Sequence, residues 1–134
     1  MASGSVETSW FQSKIKAYTP TITAPNATGF TVANISFIYK ATPDFLYISG
    51  RFQITNKGTG DSAIGITYPS GITCAAMGVG AVGMVLINNT TNEQFSLRAD
   101  VTDTMWIQVG AGGTNANQKI GNVYVLVWAI IPRV

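Results

Sequence analysis

An all-β, antiparallel fold is what this sequence predicts, and three observations predict it. Apolar and polar side chains alternate with a period of two through the most regular segments. Clusters of turn-forming residues separate those segments at roughly the 8–12-residue spacing of β-sandwiches and barrels. No 11-residue window carries convincing helical periodicity; only Glu7 to Ala17 has the pattern of a short helix or an extended arm.

Ile35-Ser36-Phe37-Ile38-Tyr39-Lys40 alternates and runs into the turn cluster Ala41-Thr42-Pro43-Asp44. Phe45 to Thr55 is the clearest strand: Leu46, Ile48, Phe52 and Ile54 fall on one face with Gly50, and Tyr47, Ser49, Arg51 and Gln53 on the other. Gly50 inside that strand marks a bulge or a close packing point. Asn56-Lys57-Gly58-Thr59-Gly60 then turns the chain into a strand ending at Tyr68-Pro69-Ser70-Gly71. Phe95 to Arg98 and Met105 to Val109 repeat the alternation, with Asn88 to Asn92 and Gly110 to Asn117 as loops. The last strand, Asn122 to Ile131, is apolar on both faces: Val123, Val125, Val127, Ala129 and Ile131 on one, Tyr124, Leu126, Trp128 and Ile130 on the other.

Composition bounds the class. The chain has 134 residues, enough for one domain but marginal for two; residues 1–16 read as an arm and 17–134 as a single domain. It is 46% hydrophobic and only 10% charged, against about 25% charged in an ordinary soluble domain, so part of its surface is expected to be covered by something other than water. The two-sided final strand leads to the same place, because obligate subunit interfaces resemble a core cut in half. A homo-oligomer of cyclic symmetry is therefore expected, with Val123, Val125, Val127 and Ile131 as its interface. The alternative is one thick core in which the N-terminal arm covers that strand.

Several classes are disfavoured. The net charge of +2 comes from scattered Lys and Arg, whereas nucleic-acid binding needs a basic patch that meets several phosphates at once. Met1 to Trp10 lacks a basic stretch followed by an apolar one, so no signal peptide is expected. The uncharged run from Ile72 to Ile87 is shorter than the ~20 residues of a spanning helix and is broken by glycines, so no membrane span is expected. Cys74 has no disulfide partner and reads as a small buried hydrophobe.

Candidate chemistry is sparse. Gly78-Val79-Gly80-Ala81-Val82-Gly83 matches a dinucleotide fingerprint, but that motif needs a helix to open at its glycines; the residues after Gly83 are β-branched and Asn-rich, and close chain packing is the simpler reading. The chain has no histidine, which removes Ser-His-Asp and Cys-His catalysis and the usual zinc ligands. Of the six carboxylates, Asp100 and Asp103 are near enough in the chain to approach as a glycosidase or calcium pair, yet read more simply as an Asx-type turn. No enzyme, metal or cofactor is expected. Loops rich in Asn, Thr and Gly carry neutral donors and acceptors suited to sugar hydroxyls, with Asn89, Asn92, Asn115 and Asn117 as candidate contacts.

Trp10, the entry Tyr18-Thr19-Pro20-Thr21-Ile22-Thr23, Phe37 to Lys40, Phe45 to Ile54 and the corner Ile64 to Gly71 together resemble the C-terminal head domains of bacteriophage tail fibres and related receptor-binding virion proteins. The resemblance spans roughly Trp10 to Gly71. It implies a jelly-roll-like sandwich, trimeric about a three-fold axis, carried on a virion at a fibre tip or capsid surface, and binding a host cell-surface polysaccharide or protein. Fibre proteins carry a long shaft before the head, and only a short arm stands here. An excised head, or a capsid decoration protein docking on other virion proteins through Trp10 and Phe11, are the two ways to accommodate that arm.

Overall fold

A computed structural model of the chain describes residues 14–76, 81–88, 93–99, 102–109 and 114–134. The strands are β1 (Lys16–Tyr18), β2 (Ile22–Thr23), β3 (Thr31–Ala41), β4 (Phe45–Asn56), β5 (Gly65–Thr67), β6 (Ala81–Asn88), β7 (Gln94–Arg98), β8 (Thr104–Gln108) and β9 (Tyr124–Pro132), with one short helix, α1 (Ala116–Ile120). All the strands join one antiparallel sheet in the order β1-β3-β4-β9-β6-β7-β8-β5-β2, which curls into a half-barrel.

The edges of that sheet explain the curl. β1 and β2 are separated in the chain only by Thr19, Pro20 and Thr21, yet they occupy opposite ends of the strand order. This link can be so short only if the two ends of the sheet lie side by side. Thr67 of β5 ties them together: its carbonyl accepts from the Tyr18 hydroxyl at 3.3 Å and its hydroxyl from the Thr21 N–H at 2.9 Å. The Thr67 N–H in turn donates to the Thr21 carbonyl at 3.1 Å.

Curling places one face of most strands inside. Leu46, Ile48, Phe52 and Ile54 of β4 are buried, as their alternation predicts, and share a core with Val85 and Ile87 of β6, Leu97 of β7, and Met105 and Ile107 of β8. Gly50 is a close-packing point. It pairs with Phe37 across β3 and β4, and a Cβ there would run into the Phe37 ring. That ring stacks on Phe52 at 6.5 Å and meets Tyr18 edge-on at 5.7 Å. Gly83 does the same between β6 and β9, where a Cβ would collide with the backbone of Trp128 and Ala129. The last glycine of the apparent dinucleotide fingerprint therefore sits in a strand and serves chain packing, with no helix after it.

Two loops are held by named side chains. In the β3–β4 turn, the Thr42 hydroxyl donates to the Phe45 carbonyl at 3.2 Å and lies 3.0 Å from the Phe45 N–H. The Arg133 guanidinium donates to the Thr42 carbonyl at 2.8 Å, so the chain end clamps this turn. The other is the loop between β4 and β5, which residues of α1 staple from the side. The expected arm, residues 1–16, overlaps β1 at Lys16; its other described residues are Lys14 and Ile15. Among the described residues no helix is long and apolar enough to cross a membrane.

Candidate functional site

β9 decides where the site lies. Its odd positions Val125, Val127, Ala129 and Ile131 are at most 3% exposed in the chain's own core, while Leu126, Trp128 and Ile130 point outward. Three of the residues expected to form a subunit interface, Val125, Val127 and Ile131, are thus consumed by the core, and half-buried Val123 packs against it. This corrects the sequence-based choice of face. β4 and β6 flank β9 on both sides, and the side of β9 that shares their buried faces is the one carrying Val125, Val127, Ala129 and Ile131. A signal for the right choice was present, since Trp and Tyr are seldom fully buried and both fall on the other face.

Strand register assembles the outward side chains into a surface. Tyr47 lies opposite Ile130, Ser49 opposite Trp128 and Arg51 opposite Leu126 across β4 and β9. Trp128 in turn lies opposite Met84, and Leu126 opposite Leu86, across β9 and β6. Ile38 of β3 extends the row through Ser49. Trp128, 51% exposed, forms a ridge between two apolar grooves. One groove, about 510 Å³, runs past Ile38, Tyr47 and Ile130 and is bordered by Ile15; the other, about 380 Å³, runs past Met84, Leu86 and Leu126. Polar groups close the surface at one end, where a left-handed Asn34 donates to Gln53 Oε1 at 2.8 Å and to the Tyr124 hydroxyl at 3.3 Å.

The candidate glycan contacts do not come together as one site. Asn117 is fully buried in α1: its Oδ1 accepts from the Ser62 N–H at 2.7 Å and its Nδ2 donates to the carbonyls of Lys57 and Gly60 at 2.9 and 2.8 Å. It is a staple for the loop between β4 and β5 and is closed to a ligand. Asn115 is exposed just before α1 and makes no side-chain capping bond. Asn89, Asn92, Trp10, Phe11 and Asp100 lie outside the described residues. Asp103 is exposed, its carboxylate accepts from the Thr104 hydroxyl at 3.1 Å, and its carbonyl accepts from the Tyr68 N–H. Asp103 thus serves the β5–β8 pairing through its backbone, and its carboxylate has a neighbouring hydroxyl as partner.

Cys74 is fully buried and bridges β-fashion to Arg133. Burial pushes its thiol up to about 11, a rise that the nearby Arg133 partly offsets. A thiol so protonated is a poor nucleophile. Among the described residues no group of three or more His, Cys, Asp or Glu side chains is placed to hold a metal ion. What the arrangement offers chemically is apolar contact area. Comparison of the chain with protein-family models, curated proteins and solved structures found no match in any of the three.

Proposed function

We propose that this protein is a non-enzymatic attachment module of a bacteriophage virion, a jelly-roll-like sandwich that works as a homotrimer and binds a host cell-surface glycan or receptor. The observation that carries the reading is the outer face of β4, β9 and β6. A domain whose interior is already filled leaves Trp128, Leu126, Ile130, Tyr47 and Met84 exposed together, which is what a subunit built for assembly presents. The phage context rests on the resemblance of Trp10 to Gly71 to tail-fibre head domains. With Asn117 committed to the core, glycan contact falls to Asn115 and to Asn89 and Asn92. Single neutral contacts of this kind bind weakly, and three copies presented together raise the avidity.

Adsorption tests the reading. Purified protein is expected to bind host cells and compete with the phage, and Asn115→Ala to weaken that competition without changing the melting temperature. Failure to bind cells, combined with loss of virion assembly on removal of residues 1–13, would favour the capsid-decorating alternative, in which Trp10 and Phe11 dock on other virion proteins. The position of Ile15 favours that alternative enough to test it, since it lies 66% exposed where the arm joins the domain.

A further inference from the structure

We infer that the outer face of β4, β9 and β6 is the contact between copies of this chain, with Trp128 of one copy seated in the Ile38–Tyr47–Ile130 groove of the next. The inference rests on the homo-oligomeric reading above and names the surface that produces it.

Area is the first argument. Ile38, Phe45, Tyr47, Met84, Leu126, Trp128 and Ile130 are each 36–51% exposed. Together they expose mostly apolar surface on the order of 600 Å², at the top of the ~300–600 Å² range of the largest patch on a typical monomer and approaching the ~800 Å² per partner of a standard interface. Anatomy is the second. Apolar side chains dominate the centre around Ser49, Arg51 stands beside Leu126, and Lys40, Gln53 and Asn88 stand at the margins, which approaches the arrangement of an apolar interface core within a polar rim.

Shape then selects a second copy over other occupants. The patch runs across four neighbouring strands, β3, β4, β9 and β6, a width of about 14 Å at the usual strand spacing. A single extended peptide covers one groove and leaves the other open. In a ring of copies the Trp128 ridge of one enters the groove of the next while its own groove receives the ridge of the one before, so both are covered, and such a head-to-tail contact can close about a three-fold axis.

Sedimentation of the full-length protein tests this with Trp128→Glu and Met84→Glu, and with Asn115→Ala as a distant control. Both residues are largely exposed, and circular dichroism of each variant checks that the fold is retained. Wild type and the control should self-associate alike, while each Glu variant should weaken association by at least about 30-fold, as loss of an interface hot spot does. A wild-type dimer disrupted by both variants would uphold this interface while overturning the homotrimer. Self-association that survives both variants would overturn the interface and leave the oligomeric reading standing. A wild type monomeric at ~100 μM, well above the Kd expected of a standard-size interface, overturns the inference, whether the face then proves to take residues 1–13, a vesicle of anionic lipid or another protein.

Discussion

Gly50 and Gly83 have the same chemistry and different obstacles, and the difference predicts different costs. A Cβ at position 50 meets the Phe37 ring, a side chain wedged between Phe52 and Tyr18; Gly50→Ala should destabilise by about 1–3 kcal/mol. At position 83 the obstacle is the backbone of β9, which cannot turn aside, so Gly83→Ala should shift the urea midpoint further. Asn117→Ala strips the buried Ser62 N–H and the Lys57 and Gly60 carbonyls of a partner, and the loss is expected to be about 2–4 kcal/mol. If Asn117 were instead a ligand contact, the same change would impair adsorption and leave stability intact. Cys74 ties stability to pH. Its thiol titrates near 11 in the folded chain against an ordinary 9.0, so folding favours the neutral form. That contribution is complete below about pH 9 and is lost as the pH rises through about 11. Urea midpoints should fall across this window, and less steeply in Cys74→Ala. Burial raises the Tyr18 phenol as well, which adds to the alkaline loss with the same sign.

The strands that were legible present one apolar face at a strict period of two. β4 was expected from Phe45 to Thr55 and runs from Phe45 to Asn56, with every predicted inward residue buried. β7, β8 and β9 were placed to within two residues at each end, whereas β3 was expected only from Ile35 to Lys40 and runs from Thr31 to Ala41, and β6 was read only as part of the apolar run Ile72 to Ile87. The helix α1 was not, because five residues span too few turns for periodicity to register, and its Asn and Gln side chains read as loop chemistry. Asn117 and Gln118 instead hold the β4–β5 loop through carbonyls of residues 57, 58 and 60. β1 and β2 are too short for any pattern, yet they finish the sheet edges. Removing residues 1–18 would strip β1 from the β3 backbone at Phe37 to Tyr39 and leave an unpaired edge. Light scattering should then show aggregation of a chain that is otherwise still β-rich; a monodisperse product with native melting would refute the role given to this strap.

At the scale of the whole molecule, the low charge and the two-sided final strand pointed correctly to an apolar outer surface, but not to which face of β9 it occupies. Alternation alone assigns residues to two faces without saying which is inside. The neighbours decide it, because the inner positions of β4 and β6 are on the side of Val125 and Val127 and the outer ones on the side of Trp128. The glycan loops were less legible still, since an Asn that staples a loop and an Asn that awaits a sugar have the same side chain in the same kind of segment. Self-association is the central claim, and the most direct measurement is the mass of the protein in solution by sedimentation equilibrium. The account predicts a species of three times 14.2 kDa; a single-chain mass that persists to ~100 μM would contradict it, because an exposed half-interface of standard size is expected to find its partner well below that concentration.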